Sequence, residues 1–225
     1  MSTVSLDEVT TSHPSHWDFD ALYRGESPAE GIPPVTTVPW DTKGPKESVV
    51  AWQEQGLITG DVLDIGCGLG DNAIYLAQHG HHVTALDISP TALITAEHRA
   101  ADAHVDIKFA VTDATDLTGY SDAFDTIVDS GMFHCLDDDG KAAYAAAAYR
   151  AARPGARLLI ACFSEANDDP MRGQRAVSES AVRSIVGGAG WTVSSVTPTT
   201  VHRPDGVDMG FWLVVAQRPS VEAAQ

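Results

Sequence analysis

Short apolar segments alternate with helical segments along most of the chain beyond residue 60. Apolar runs at Val62–Gly66 and His82–Asp87 predict two strands that enclose a helix at Asn72–His79. Further helices and strands are predicted at Pro90–Asp102, Ile107–Val111, Phe124–Asp129, Lys141–Arg153, Arg157–Phe163 and Glu179–Val186. Strands separated by helices form parallel βαβ units with right-handed crossovers, so the pattern predicts a doubly wound α/β domain.

The last two predicted strands break this alternation. Trp191–Val201 and Phe211–Gln217 are separated only by the loop His202–Gly210. A crossover between parallel strands needs about a dozen residues or more, so these two strands must be antiparallel. We therefore expect one doubly wound, Rossmann-like α/β domain with a seven-stranded, mostly parallel sheet whose last strand is antiparallel.

The chain before this domain has a different character. A short helix is predicted within Trp17–Gly25, followed by an extended, proline-rich stretch and then a helix at Lys46–Gln55. Both ends of the chain are polar and are predicted to be mobile. The expected organisation is a mobile N-terminus (residues 1–15), an N-terminal segment (16–45), the α/β domain (46–218) and a mobile tail (219–225).

Composition and charge limit the kinds of molecule that are expected to bind this protein. Of the 225 residues, 44% are hydrophobic, and 31 acidic side chains against 14 basic ones give a formal charge of −17. Such a surface repels phosphate backbones and anionic lipids, so neither nucleic acid nor membrane is expected as a partner. The first residues lack the pattern of a secretory leader. Cys67, Cys135 and Cys162 are widely spaced, which favours reduced thiols and a cytoplasmic location.

The strongest chemical signal is the sequence LDIGCGLGDN at Leu63–Asn72. Its glycines, Gly66, Gly68 and Gly70, follow a strand and open a helix, where a missing Cβ lets a ligand approach the backbone. In the dinucleotide fingerprint G-x-G-x-x-G the third glycine comes one position later. Asp64 stands just before the first glycine, where its carboxylate disfavours a pyrophosphate. It suits a cationic ligand such as S-adenosylmethionine, which carries a sulfonium and an amino group.

Acidic residues also follow the next three predicted strands. Asp87 ends the second strand about 20 residues after the glycines, the position from which a carboxylate accepts hydrogen bonds from ribose hydroxyls. Asp113 follows the third strand, within reach of an adenine amino group, and Asp129 and Ser130 end the fourth. A lone glycine turn is often a tight connection, and a lone aspartate often caps a helix. The ordered combination predicts a nucleoside-containing ligand.

Residues 64–129 resemble the class I S-adenosylmethionine-dependent methyltransferases, and the resemblance extends over about Lys46–Gln217. FDALYRG, PWD (Pro39–Asp41) and DSGMFHCL, with the later RPGARLL, resemble the thiopurine-methyltransferase-like branch. That branch includes halide and thiol methyltransferases and bacterial enzymes that methylate toxic heterocycles and hydroxyquinones. The resemblance implies S-adenosylmethionine as cofactor, S-adenosylhomocysteine as product, and an N-terminal helical lid over cofactor and acceptor.

Two sets of site residues follow from the motifs and the resemblance. The expected cofactor-binding residues are Tyr23, Trp40, Asp64, Gly66, Cys67, Gly68, Asn72, Asp87, Ile88, Asp113, Ala114, Asp129 and Ser130. The expected acceptor pocket contains Trp17, Phe19, Phe133, Arg203 and Met209, with Arg172 as further lining.

His134 is the best candidate for a catalytic base. It follows the fourth strand, and its unperturbed pKa near 6.5 allows proton uptake close to neutrality. The alternative is that it bonds a neighbouring loop or orients the acceptor without moving a proton. The acidic run Asp137–Asp139 is interpreted as the charged start of a helix, and no metal site is predicted.

The function predicted from these features is methyl transfer to an O, N or S atom of a small aromatic or heterocyclic acceptor, in detoxification or tailoring. A thiol or halide methyltransferase, a non-catalytic S-adenosylmethionine-binding protein and a nucleotide-dependent oxidoreductase are alternatives. The expected partner is a small molecule, and the expected state is a monomer or homodimer.

Overall fold

The computed structural model describes residues 16–34, 37–167, 175–202 and 208–220. Its helices are α1 (Phe19–Tyr23), α2 (Glu47–Glu54), α3 (Asp71–Gln78), α4 (Pro90–Asp102), α5 (Asp138–Ala151) and α6 (Glu179–Gly188). Its strands are β1 (Asp61–Ile65), β2 (His82–Asp87), β3 (Ile107–Val111), β4 (Phe124–Ser130), β5 (Ala152–Phe163), β6 (Thr192–His202) and β7 (Asp208–Gln217).

The strands form one sheet in the order β3-β2-β1-β4-β5-β7-β6. Strands β1 to β5 are parallel where they pair, and β7 runs antiparallel to both β5 and β6. The predicted seven-stranded α/β sheet with an antiparallel last strand is therefore confirmed. The strand order reverses between β1 and β4, the position at which open α/β sheets bind ligands.

The two faces of the sheet carry separate apolar cores. On one face, Val49 and Trp52 of α2 and Leu76 of α3 pack on Val62 and Val83 of the sheet. The other face is covered by α5 and α6, which bring Tyr144, Ala148, Val182 and Val186 against strand residues such as Leu158 and Ile160. Helices on both faces bury the sheet from both sides, so its ligand-binding edge is held by rigid elements.

Several boundaries differ from the sequence prediction, and two of them have a clear local cause. Helix α5 begins at Asp138 rather than Lys141, because the Asp137 side chain accepts a hydrogen bond from the Gly140 amide (2.8 Å) and caps the helix. Strand β5 begins at Ala152, before the Pro154–Gly155 pair that predicts a break. A shift in register against β4 between Phe124 and Thr126 accommodates that pair within the strand.

The segment before α2 is attached to the domain by two aspartates. Asp20 of α1 accepts hydrogen bonds from the Ser89 hydroxyl (2.6 Å) and the Thr91 amide (2.9 Å) at the start of α4. Asp41 forms a paired contact with the Arg99 guanidinium of α4 at 3.0 and 3.1 Å. Both contacts join the segment to α4, the first at the start of the helix beside the end of β2 and the second in its last turn. Of the helices described, none combines the length and the apolar character required to cross a membrane.

Candidate active site

Three carboxylates meet at the carboxyl edge of the sheet. Asp64 of β1, Asp87 at the end of β2 and Asp129 of β4 are at most 7% exposed, and Ile65 is the register partner of Asp129. Together with the turn Gly66–Gly70, these three residues are called the carboxylate end of the site. Within the described ranges, no basic side chain forms an ion pair with any of the three.

Burial raises the pKa of each carboxyl group at this end of the site. Burial, followed by the charges of Asp129 and Asp87, raises the pKa of Asp64 to about 7. Burial likewise raises the pKa of Asp129 to about 7, although hydrogen bonds from the Met132 and Phe133 amides oppose the rise. Asp64 Oδ2 is buried and has no hydrogen-bond partner. A buried carboxylate group with an unsatisfied oxygen fits a cationic ligand.

The backbone of the glycine turn is already engaged in hydrogen bonds. The amides of Gly66 and Cys67 both donate to the Leu86 carbonyl, at 2.8 and 3.0 Å. The Gly68 amide donates to Asp87 Oδ2 at 2.8 Å. A pyrophosphate site requires amides that point at the ligand, whereas these amides bind the neighbouring strand. The turn therefore disfavours a dinucleotide and the oxidoreductase alternative.

Gly68 lies directly beneath the N-terminal segment. A Cβ at this position would come within 2.8 Å of the Tyr23 hydroxyl, and its φ of +53° is left-handed. That hydroxyl accepts a hydrogen bond from Trp40 Nε1 at 2.9 Å. Burial, followed by the nearby charge of Asp87, raises the pKa of Tyr23. Tyr23 and Trp40, both predicted to bind the cofactor, thus cover the carboxylate end.

Four aromatic side chains form a row that leads away from this turn. Ring centroids are 6.1 Å apart for Tyr23 and Trp40, 6.3 Å for Trp40 and Phe19, and 6.2 Å for Phe19 and Trp17. The Arg175 guanidinium lies 4.4 Å from the centre of the Trp17 ring. Trp17, Arg175 and His134 are called the cation end of the site, because the Arg175 charge also acts on His134.

His134 is held by the end of strand β5. Its Nδ1 accepts a hydrogen bond from the Phe163 amide at 3.2 Å, and its ring stacks on the Phe163 ring at 4.0 Å. Burial, followed by the charges of Arg175 and Lys141, lowers its pKa to about 3. A neutral imidazole with an occupied Nδ1 is a poor proton acceptor, so the geometry argues against the predicted base and favours the positioning alternative.

The remaining predicted cofactor residues occupy the upper edge of β2, β3 and β4. Ile88 is 56% exposed beside the buried Asp87, which leaves an apolar surface open at this edge. Asp113 is exposed, and its Oδ1 accepts hydrogen bonds from the amide and hydroxyl of Thr115. Ala114 follows Asp113 and Ser130 ends β4, and both side chains are half-buried. These positions fit the predicted adenine side of the site.

Several predicted site residues have other roles. Asn72 Oδ1 accepts a hydrogen bond from the Lys46 amide (2.9 Å), so this side chain fixes the start of α2. Phe133 is fully buried and packs on Tyr144, so the prediction that it lines an open pocket is wrong. Met209 lies within β7 rather than in a loop. Arg172 and Arg203 lie outside the described residues.

Sequence reasoning missed two residues that shape the site. Arg175 was not singled out, because nothing in its local sequence places it against Trp17, far away in the chain. Arg99 bridges Asp41 and Asp71 (2.9 Å) in the same way. Ser89 caps helix α4 by accepting a hydrogen bond from the Ala92 amide (3.0 Å), and its hydroxyl also donates to Asp20.

Comparisons with known proteins identify the family of this chain. Residues 62–155 match the family described as "Methyltransferase domain". A relative from Mycobacteroides abscessus, a 2-heptyl-1-hydroxyquinolin-4(1H)-one methyltransferase, is 37% identical over 186 residues, 82% of this chain and 80% of its own.

Solved structures show the same fold. A structure described as "Conversion of a Disulfide Bond into a Thioacetal Group during Echinomycin Biosynthesis" superposes with a TM-score of 0.78 at 34% identity, covering 92% of both chains. Magnesium protoporphyrin IX methyltransferase from Synechocystis, solved with S-adenosylmethionine, has a TM-score of 0.59 at 23% identity over 76% of each chain. The chain therefore belongs to the class I S-adenosylmethionine-dependent methyltransferases, of the type that acts on small molecules.

Proposed function

We propose that this enzyme methylates an oxygen of a flat, hydroxylated heteroaromatic compound, a hydroxyquinolone in the first instance. The observation that carries the proposal is the aromatic row Trp17–Phe19–Trp40–Tyr23, which begins over the glycine turn and ends at Arg175. Rings spaced in this way offer faces and edges to a planar molecule lying beside them. The relative from Mycobacteroides abscessus, a methyltransferase named for such a compound, supports the same acceptor class.

The carboxylate end is proposed to hold the methyl donor. Asp64 and Asp129 face its positive charge, Asp87 accepts the ribose hydroxyls with its remaining lone pairs, and Ile88 and Asp113 border the adenine. When bound, S-adenosylmethionine supplies a methyl group already activated by its sulfonium. What the chain contributes is alignment of the acceptor with that methyl and exclusion of water, and such positioning can supply about 7–11 kcal/mol of the barrier.

Residues 16–45 are proposed to act as a lid. Tyr23 and Trp40 close over the turn, while Asp20 and Asp41 fasten the segment to α4. A lid fastened at two points excludes water from the reacting atoms and holds the aromatic row against the acceptor. We also propose a cytoplasmic location, supported by Cys67, Cys135 and Cys162, which are all free thiols.

An acceptor panel tests this proposal. The purified protein is incubated with S-adenosylmethionine and, separately, with hydroxyquinolones, phenols, N-heterocycles without a hydroxyl, and thiols, and products are identified by mass spectrometry. We expect O-methylated hydroxyquinolone as the fastest product. In Trp17→Leu the KM for that acceptor should rise by about tenfold, equal to 1.4 kcal/mol of lost binding, with unchanged affinity for S-adenosylhomocysteine. Binding of the cofactor without turnover of any acceptor would contradict the proposal.

A sulfur acceptor is the second candidate. It is favoured by the solved structure described for the conversion of a disulfide bond into a thioacetal group, since that chain is 34% identical over 92% of this one. Soft thiolates are good nucleophiles and need little help from the protein. Faster turnover of the thiol members of the panel than of any hydroxylated member would favour this candidate.

A further inference from the structure

The hydrogen bond of His134 fixes which ring nitrogen carries the proton. A backbone amide can only donate, so Nδ1, which contacts the Phe163 amide at 3.2 Å, holds a lone pair. The proton of the neutral ring therefore lies on Nε2. For Nε2 to accept a proton from a ligand, the ring would first need its proton on Nδ1, where it would face another N–H. His134 is built to donate a hydrogen bond.

The charges around His134 keep it in this form. Arg175, from the segment before α6, and Lys141, on α5, both act on the ring, and Cys135 is its neighbour on the short helical turn Phe133–Cys135. Burial and these two cations lower the pKa of His134 to about 3. Lys141 is paired with Asp138 at 3.1 Å. The ring is therefore neutral across the physiological range, and its Nε2–H is available at every working pH.

The two ends of the site carry charges of opposite sign. The carboxylate end has three buried acids and two unsatisfied oxygens, Asp64 Oδ2 and Asp129 Oδ2. At the cation end, burial raises the pKa of Cys135 to about 11, although the Arg175 charge opposes the rise. The aromatic row connects the two ends. A ligand pair with a positive member at one end and a negative member at the other fits this arrangement.

We propose that the acceptor binds as an oxyanion at the cation end, where His134 Nε2–H donates a hydrogen bond to it and Arg175 balances its charge. This inference depends on the proposed function and adds the ionisation state of the acceptor. His134 and Arg175 are then residues that select ionised hydroxyl groups. No base on the protein takes part, because the hydroxyl proton is lost to solvent on binding.

The transfer step balances without a proton. A lone pair of the acceptor oxygen forms the new bond to the methyl carbon, and the bond from that carbon to sulfur breaks with both electrons going to sulfur. One anion and one sulfonium become a neutral methyl ether and a neutral thioether. The loss of charge at both ends weakens the hold of the site on both products.

Equilibrium binding tests the charge of the bound acceptor without turnover. The protein is saturated with S-adenosylhomocysteine and titrated with 2-heptyl-1-hydroxyquinolin-4-one between pH 5 and 9, following the absorbance change that accompanies ionisation. We expect the bound compound to show the spectrum of its anion at a pH about one unit below that needed in solution, equal to about 1.4 kcal/mol of preference for the anion. In Arg175→Gln this displacement should disappear.

A matched control separates local from general charge effects. Arg183→Gln removes an exposed arginine of α6 that pairs with Glu179, so it lowers the net charge equally and should leave the displacement unchanged. Binding of the neutral compound by the wild-type protein, or an equal effect of both variants, would overturn the inference. Absence of any binding would instead contradict the proposed function, as would a panel in which no hydroxylated acceptor is methylated.

Substitution of His134 distinguishes a donor from a base. His134→Gln keeps an N–H near the position of Nε2, and His134→Ala removes it. We expect kcat/KM to fall by about tenfold or more in the alanine variant and by less than about threefold in the glutamine variant. In the wild type and in both variants, the pH at which kcat/KM rises should follow the pKa of the acceptor across a series of substituted hydroxyquinolones. Equal losses of kcat/KM in both variants, or a wild-type pH profile that does not change with the acceptor pKa, would show that His134 acts as a base.

Discussion

The two ends of the site are assembled in different ways. At the carboxylate end, Asp64, Gly68 and Asp87 lie within one βαβ unit, and the Gly68 amide donates directly to the Asp87 carboxylate. At the cation end, Trp17, His134 and Arg175 come from three segments that are far apart in the chain and meet only in the folded protein. Most of the proposed donor end is thus set by local structure, with Asp129 added by the neighbouring strand β4, whereas the proposed acceptor end is set by tertiary packing. Changes at the acceptor end can therefore alter specificity without disturbing the donor end.

Asp87→Ala is expected to have the largest effect and to be confined to the donor end. The substitution leaves the buried amides of Gly68 and Ser89 without their acceptor, at about 1–3 kcal/mol each, and removes the proposed ribose contacts. Affinity for S-adenosylhomocysteine, measured by calorimetry, should fall by about hundredfold or more. Asp106→Ala, at an exposed position, is the control. Unchanged affinity in the Asp87 variant would refute the ribose assignment.

Gly68→Ala tests whether the lid and the donor end meet at this turn. Left-handed backbone costs alanine about 1–2 kcal/mol, and the new Cβ would press on the Tyr23 hydroxyl. Donor affinity should weaken by about tenfold, and Tyr23→Phe in the same chain should recover part of the loss. In Gly187→Ala, where a Cβ meets nothing within 4 Å, affinity should stay as it is. Failure of Tyr23→Phe to recover any affinity would mean that the two residues are independent.

Asp64→Asn should separate stability from binding. The pKa of Asp64 is about 7 when folded against 3.8 ordinarily, so the folded state holds this proton more tightly and loses stability as pH rises from about 4 to about 7. Without ligand, the asparagine variant should therefore melt at a higher temperature than the wild type at pH 8, but not at pH 4.

The same variant should bind the cationic donor less well. We expect an affinity loss of about tenfold for S-adenosylmethionine and a smaller loss for S-adenosylhomocysteine, which lacks the sulfonium charge. Calorimetry with both compounds measures the difference. Equal losses for the two would show that Asp64 does not respond to that charge.

Arg99→Met is expected to have the smallest effect, and that effect should be seen both in the KM for the donor and in the KM for the acceptor. Burial raises the pKa of Asp41, but hydrogen bonds from Arg99 and Lys43 lower it to about 2, and Arg99 also holds Asp71. Partly exposed ion pairs contribute about 0–1 kcal/mol each, so KM for donor and for acceptor should both rise by about two- to fivefold. Arg183→Met, which breaks an exposed pair on α6, should change neither. A change in only one KM would show that the N-terminal segment serves a single end.

A feature could be predicted from the sequence where the residues that determine it lie in one short segment of the chain. Alternating strands and helices predicted the sheet, and the short final loop predicted the antiparallel β7. The three carboxylates were predicted because each ends or lies near the end of a strand, and parallel strands bring these ends to one edge.

Prediction was weaker wherever tertiary contacts decide a side chain's role. Phe133 and His134 are adjacent, yet the helical turn sends Phe133 into the core while His134 bonds the Phe163 amide. Asn72 follows the glycine turn but binds Lys46, which lies 26 positions earlier. The tautomer of His134 depends on the end of β5, and no local pattern around His134 contains that information.

The hydrogen bonds within the turn Gly66–Gly70 have a consequence for product release. Because Gly66, Cys67 and Gly68 are already tied to Leu86 and Asp87, little backbone entropy remains to be lost when a nucleoside enters. A preorganised turn of this kind binds the adenosine of S-adenosylhomocysteine as readily as that of S-adenosylmethionine, because the two compounds share it. The proposed contact of Asp64 with the sulfonium then gives the enzyme its means of distinguishing them, because that positive charge is lost when the methyl group is transferred.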